Sequence, residues 1–355
     1  MKKWIYIAIF ITCGQKLASQ NNCDNLIEEA TDLYNLGNYD ECINVLENGL
    51  NTCALSKSKK ESAYILLINS NIEKDSLQGI DKNFRLLLTT NPTFKIKDYN
   101  GLDDFKKYYK NYYAFPRLAF GMRPHYSTRS LDAFQVYQVM PNIKNESMYN
   151  TSNFFNNNVI FDFRITEKIA LFADGGYFNL EYNRELKNDY WTLRSAEKIT
   201  YFQLDLGVKR FYRTQKKLNP YWMAGLSNQY LMGSKLTLNQ TKTVVNSLYG
   251  GTDIPEYKFL TDYNSEAIRN HYVYSLLLGG GIIYKIGYLG IGIDFRLYYS
   301  LNTVNNPTAR ARSAEPDLIK DFGYIDNDFR MFKTDKSLII TYLLYKVKRK
   351  KIITN

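Results

Sequence analysis

The sequence predicts an all-β chain with a small all-α domain in front: an eight-stranded antiparallel transmembrane barrel plus helices. Three observations carry this. Tyr288–Tyr299 alternates strictly: Leu289, Ile291, Ile293, Phe295 and Leu297 are apolar, and Gly290, Gly292, Asp294 and Arg296 are small or charged. That is the period of a strand with two unlike faces. The same alternation recurs through the last two thirds of the chain. Beyond the N-terminus no apolar run approaches the ~18 residues of a membrane-spanning helix, so any crossing is made by strands.

Composition agrees. Among 355 residues there are 31 Tyr and 20 Phe, which suits strands and the aromatic belts of membrane interfaces. The net charge is +11 and the pI about 9.1. A basic balance raises nucleic acid as a partner, but the charge is scattered and carries no nucleic-acid motif, so we expect none. The one dense basic run, Lys346 to Lys351, reads as the start of a solvated tail, 347–355.

At the N-terminus, Lys2 and Lys3 precede the apolar stretch Trp4 to Thr12, and Leu17-Ala18-Ser19 ends in small residues. This is the pattern of a secretory signal peptide, 1–19. Cys13 lacks the preceding residues of a lipoprotein site. The mature chain is therefore expected outside the cytoplasm, where disulfides are permitted.

Residues 20–113 read as the helical domain. Leu26, Ala30, Leu33 and Tyr34 recur at helical spacing, Gly37-Asn38 breaks the run, and Cys42, Ile43, Leu46 and Leu50 resume it. A second, less regular pair takes in Ala63, Leu66 and Leu67, then Ile80, Phe84, Leu87 and Leu88. A third helix is expected over 102–113. The spacing of Ala30, Tyr34, Gly37, Tyr39, Ile43 and Leu46 resembles a tetratricopeptide repeat. Two repeats leave terminal faces unburied, so the domain should lean on the barrel or on a partner. Cys23 opens the first helix and Cys53 follows the second, and these ends are neighbours in an antiparallel hairpin. A Cys23–Cys53 disulfide is expected, with Cys42 free in the core. The alternative, Cys42–Cys53, would have to bridge one helix along its length.

From Pro116 the chain alternates to residue 346. Leu118, Phe120 and Met122 alternate with Ala119, Gly121 and Arg123; Val159, Phe161, Phe163 and Ile165 with Ile160, Asp162 and Arg164. Ile169, Leu171, Ala173 and Tyr177 oppose Phe172, Asp174 and Gly176; Phe202, Leu204, Leu206 and Val208 oppose Gln203, Asp205, Gly207 and Lys209. A fifth strand over 221–230 has no clear facing. Leu276, Leu278, Ile282 and Tyr284 mark the sixth, Tyr288–Tyr299 the seventh, and Leu338, Ile340, Tyr342 and Leu344 the eighth, over 337–345. Connections after the even strands are short and those after the odd strands long. That asymmetry belongs to an outer-membrane barrel with short periplasmic turns and long outer loops, and it places both termini in the periplasm. Arg123, Asp162, Arg164, Asp174, Asp205, Lys209, Asp294 and Arg296 fall on the inner face. A barrel this narrow is filled by side chains, so these four acids and four bases are expected to form a lumenal ion-pair network, a polar plug in place of a channel.

Signal peptide, Cys-containing repeat-like module, Pro116-Arg117 junction and alternating strands together resemble the Bacteroidetes outer-membrane β-barrel proteins, in particular the PorT-like barrel group. The resemblance implies an accessory or structural part of an envelope machine, of secretion, assembly or gliding type. In that setting Asp75-Ser76-Leu77 matches a short O-glycosylation sequon. Only two histidines occur, His125 and His271, with Ser127 and Ser275 near them in sequence. No spacing orders a nucleophile, base and third group, so we expect no enzyme and no catalytic residue. No metal-ligand cluster or cofactor motif appears, and Gly279–Gly281 reads as room for close packing. The expected partners are outer-membrane lipid and a protein bound through residues 25–111 or the outer loops. The leading reading is an anchor or accessory subunit. The alternatives are a surface receptor or adhesin acting through 127–153 and 302–333, and, after it, a lipid-modifying enzyme.

Overall fold

A computed structural model describes residues 23, 25–96, 99, 101–135, 137, 145–146, 149–187, 191–212, 216–244, 254–309 and 318–350. The expected signal peptide and the last five residues of the basic tail lie outside them. Among the described residues no helix is long and apolar enough to cross a membrane. The chain forms two compact units, Met1–Pro116 with Tyr345–Asn355, and Arg117–Leu344.

The first unit contains α1 (Leu26–Asn35), α2 (Tyr39–Thr52), α3 (Lys57–Glu73), α4 (Leu77–Thr90) and α5 (Asp103–Tyr109). Gly37, at a φ of +78°, separates α1 from α2, a backbone that L side chains rarely adopt. Ser56 and Ser76 cap α3 and α4 by accepting from the backbone N–H of Lys59 and Gly79. Ala30, Cys42, Leu46, Ala63 and Leu67 form one core. Ile68, Ile80, Phe84, Leu87 and Phe105 form a second, which includes Tyr112 and Val347 from strand segments; Phe84 stacks on Tyr112 at 4.9 Å. The helical stack is therefore closed by strand residues of its own unit. The expected third helix stops at Tyr109, because the aromatic run from Tyr112 to Phe115 prefers extended backbone. Likewise the tail is not free from residue 347: a strand continues to Arg349, with Val347 buried. Cys23 and Cys53 are joined by a disulfide, their Cα atoms 5.8 Å apart. Cys42 is buried with a free thiol, and burial pushes that thiol up from its usual pKa.

The sheet is built from β1 (Tyr112–Gln135), β2 (Asn145–Glu146), β3 (Asn150–Thr151), β4 (Phe154–Arg164), β5 (Ile169–Lys187), β6 (Trp191–Phe211), β7 (Leu218–Val244), β8 (Ile254–Asn264), β9 (Tyr272–Ile286), β10 (Leu289–Ser300) and β11 (Asp328–Arg349), with α6 (Leu318–Phe322) before the last. The path β5-β4-β1-β11-β10-β9-β7-β6 returns to β5, so the mostly antiparallel sheet closes into a ring. β2 and β3 pair with β5, and β8 with β7, off that path. The sheet thus has eleven strands where the sequence reading counted eight, the additions lying in segments read as loops. Tight connections follow β4, β6 and β9; the last turns at Gly287, whose φ is +57°.

A change of solvent runs along the strands. On β5 the outward residues are Ile169, Leu171, Ala173 and Tyr177, then Asn179, Glu181, Asn183, Glu185 and Lys187. Inward, Ala170, Phe172 and Asp174 give way to Phe178, Leu180, Tyr182, Arg184 and Leu186. On β6 the same inversion falls between Phe202 and Thr200: outward Leu204, Leu206 and Val208 lie below it and Lys198, Ala196 and Arg194 above. Aromatic pairs mark the line, Tyr177 with Phe202 and Tyr230 with Tyr272, each 5.3 Å between ring centres. Below it the ring is apolar outside, and inside it mixes charged residues with an apolar cluster around Phe172, Tyr221 and Ile283. Above it the sheet is built like a soluble protein, with cores around Phe178, Tyr182 and Phe329 and around Trp191, Leu236 and Phe322. This corrects the long loops expected from the sequence. The segment between strands three and four is mostly the continued hairpin β5–β6, and a search for an apolar outward row stops at Tyr177.

Candidate functional site

Inside the ring, period-two backbone delivers alternate side chains of six strands to one polar cluster. Arg123 on β1 donates to Asp174 at 2.7 Å, to Ser337 at 2.9 Å and to Asp335 at 3.4 Å. Arg296 on β10 lies 2.9 Å from Asp174, 3.0 Å from Asp294 and 3.3 Å from Asp205. Asn158 donates to Asp174 and Tyr298 to Asp205, at 2.6 and 2.8 Å. Lys333 reaches Gln203 at 2.6 Å and Asp335 at 3.4 Å, and Ser127 donates to Asp335 at 2.6 Å. Lower down, Lys209 pairs with Asp162 at 2.7 Å. Both arginines are fully buried. Such burial is tolerated only where each charge meets a partner. Gly281 makes room for the cluster: a Cβ there would come within 2.7 Å of both the Asp294 Cβ and the Tyr221 hydroxyl.

Of the eight charges named from the sequence, Arg123, Asp174, Asp205, Asp294 and Arg296 meet in one group, and Lys209 with Asp162 in another. Arg164 stands apart from both, stacked over Phe211 at 3.8 Å and donating to the Glu167 carbonyl. Lys333 and Asp335 were missed because the last strand was started at Ser337. Their signal was available: the alternation of inward Met331, Lys333 and Asp335 with outward Phe332, Thr334 and Lys336 continues the same period. Arg129 is a different case. It is buried between Phe154 and Phe178, 5.4 and 5.1 Å from the ring centres, and its guanidinium has no hydrogen-bond partner among the described residues.

Above the line of aromatic pairs, a second cluster fastens that end of the ring. Arg269 is fully buried and bonds Glu197, Tyr182 and Asn305, with Asp326 2.7 Å away. Tyr149 donates to Asp326 at 2.6 Å, Arg184 to the Ile325 carbonyl at 2.9 Å, and Gln240 to the Phe322 carbonyl at 2.7 Å. Burial pushes the Asp326 carboxyl up, but Arg269, Tyr149 and Arg184 outweigh it and hold the group below the usual carboxylate range.

His125 points inward, 3.7 Å from Asp335, and Ser127 bonds the other oxygen of the same carboxylate. The carboxylate thus sits between Ser and His, whereas a hydrolase needs the His between Ser and Asp. His271 is exposed, and Ser275 lies inside near Ser300. Among the described residues no group of His, Cys, Asp and Glu is arranged to hold a metal ion.

Comparison with known proteins follows from this geometry. Residues 131–306 match the outer membrane protein beta-barrel domain family. No curated protein matches the chain. Among solved structures, similarity is found to the outer membrane protein OprG from Pseudomonas aeruginosa (7% identity, 66% of this chain and 97% of that one, TM-score 0.31). It is also found to the outer membrane protein AlkL in lipid bilayers (10%, 68% and 94%, 0.34) and to Neisserial surface protein A (11%, 63% and 96%, 0.28). Overlaps this loose carry no argument about mechanism. The match over residues 131–306, the closed ring and its apolar outer band together make the chain an outer-membrane β-barrel protein.

Proposed function

We propose that this protein is a non-enzymatic outer-membrane anchor, an accessory subunit of an envelope complex whose tetratricopeptide-like helical domain binds a periplasmic partner. The observation that carries the reading is the filled ring. Arg123, Arg296, Lys333 and their aspartates occupy the interior with mutual ion pairs, which supports a plug over a channel and engages these charges with one another among the described residues. On this reading the eight strands of the closed path cross the membrane, the tight turns and both termini face the periplasm, and the PorT-like group of Bacteroidetes barrels is the fitting relative. The helical unit, stapled by Cys23–Cys53, is the part left to meet another protein.

Pulldown from detergent-solubilised membranes tests this. Recovery of a defined partner that is lost on deleting 25–111, while the barrel still inserts, supports it. Recovery of the protein alone counts against it. Stepwise ion conductance of the purified barrel in a planar bilayer would overturn the closed-ring basis. Protease access to 25–111 in intact cells would overturn the orientation.

A second reading, a surface receptor, is favoured by the ordered structure above the aromatic line. The Arg269 cluster holds several connecting segments in place, as a binding surface requires. It predicts that function depends on those segments and survives loss of 25–111.

A further inference from the structure

On the outside of the ring, β6, β7 and β8 leave a groove of about 480 Å³ lined by Lys198, Thr200, Lys235, Asp262, Asn264 and Glu266. Its origin is a slip in the β6–β7 ladder. Thr200 faces Gly233 but Tyr201 faces Leu231, so one residue of β7 is extra at this point. A bulge kinks the strand and turns side chains aside, and Gly233 adds no side chain to fill the gap. The floor is fixed from behind: Ser234 donates to Glu197 at 2.7 Å and meets Ser265 at 2.7 Å, and both belong to the network around Arg269.

Two features define what fits. The first is chemistry. Lys198 lies 3.0 Å from Glu181 and Lys235 3.9 Å from Asp262, with the lysine side chains 54% and 67% exposed. Ion pairs this exposed are weak and exchange partners readily, so both ammonium groups are available to a phosphate. Asp262, Glu266 and Asn264 would repel or ignore a phosphate, but they accept from and donate to hydroxyls. The second feature is position. Directly below on the same outward rows lie Leu204 and Leu206 of β6 and Leu226, Tyr230 and Met232 of β7, all exposed. The polar groove therefore caps an apolar stripe, and its occupant is an amphiphile.

We infer that the groove holds the phosphorylated sugar headgroup of an outer-leaflet glycolipid, with its acyl chains along the stripe. Lys198 and Lys235 take the phosphate; Asp262, Asn264, Glu266 and Thr200 take sugar hydroxyls. A phospholipid would engage the lysines and leave the carboxylates without a donor. The inference rests on the reading that this end of the ring faces outside the cell.

The test is native mass spectrometry of the full chain released from detergent, titrated with lipid A (a diphosphorylated di-glucosamine lipid) or with phosphatidylglycerol. One lipid A should be retained, at least about tenfold more tightly than phosphatidylglycerol, for a difference of more than ~1.4 kcal/mol. The Lys198→Gln/Lys235→Gln variant should lose about 30-fold, from roughly 1 kcal/mol per surface cation. Glu266→Gln should narrow the preference over phosphatidylglycerol without changing unboiled gel mobility, which reports a folded ring. Equal retention of the two lipids overturns the inference, as does a double variant that is folded and binds as before. Displacement of lipid A by millimolar inorganic phosphate alone would make this a free-phosphate site and overturn it as well. Binding in detergent does not depend on orientation, so failure here is distinct from failure of the orientation assay.

Discussion

Replacing Arg269 by Leu should release the fastening above the aromatic pairs while the ring below stays closed. The guanidinium is fully buried and held by Glu197, Tyr182, Asn305 and Asp326. Its removal leaves two carboxylates in a dry site without their cation. Breaking one partner out of a buried pair costs about 3–5 kcal/mol. Since Glu197 and Asp326 share one guanidinium, the two losses do not add, and about 4 kcal/mol is the expected cost. That multiplies the detached population of residues 301–309 and 318–331 by about 10³. Limited proteolysis of the full chain in detergent, read by mass spectrometry, should show new cuts there with unboiled gel mobility unchanged. The pH dependence sharpens the test. In the wild type the Asp326 carboxyl is depressed, so its contribution is fully present above the ordinary value of about 3.9 and is lost as pH falls through the depressed one. In the variant the largest group holding this carboxyl down is gone, so the loss of docking on acidification should be smaller. Equal protection in both proteins, or an equally steep acid dependence, would refute the assignment of Arg269 as the fastening.

Other perturbations separate the two units. Changing both Cys23 and Cys53 to Ser reopens a loop of 30 residues and should cost the helical unit about 3–4 kcal/mol in the chain-entropy account, seen as earlier loss of the 222 nm signal on heating. Phe84→Ala removes a fully buried ring that stacks on Tyr112 and should cost about 3–5 kcal/mol by the same readout. In the barrel, Ile293→Arg places a charge on an outward side chain that is 64% exposed within the apolar band. About 2–4 kcal/mol should be lost in urea titrations from lipid vesicles, whereas Asn183→Arg, outward but above the aromatic line, should change stability by less than ~0.5 kcal/mol.

What the sequence disclosed and what it hid divide along one physical line. In the apolar band, outward Leu, Ile and Phe alternate with inward charges, so β4, β10 and the lower halves of β5 and β6 are plain from period two alone. Most of the interior cluster follows, since Asp174, Asp205, Asp294 and Arg296 lie on those strands. Above the aromatic pairs the backbone keeps its period but the faces exchange chemistry. Phe178, Leu180 and Tyr182 turn inward as Asn179 and Glu181 turn outward, so the segment resembles a polar loop to any search for a lipid-facing stripe. β7 is harder still: over 221–230 apolar Tyr221 and Met223 face inward with Ser227 and Gln229 while Asn228 faces outward with Leu226, and beyond it an extra residue near Gly233 switches the inward row from Leu231 to Ser234. Arg269, Glu197 and Asp326 meet from three distant segments, and nothing local to any of them announces the other two. The helical unit was legible in its hairpins, where Gly37 and the spacing of Ala30, Cys42 and Leu46 speak for themselves. Its closure by Tyr112 and Val347 was not, for these come from the two ends of the strand region.

The exchange of faces between Tyr177 and Asn179, and between Phe202 and Thr200, also works as a waterline. A ring apolar along its whole height could ride at any depth that suited the bilayer. This one cannot. Sinking it by two residues of strand, about 5 Å of height at a tilt of ~40°, would push Asn179 and Thr200 into hydrocarbon. Two residues more would bring Glu181 and Lys198, each costing up to a few kcal/mol. Raising it would strand Tyr177, Phe202, Leu204 and Leu206 in water. The exchange of faces therefore fixes the depth at which the ring sits, and its surroundings must adapt to it.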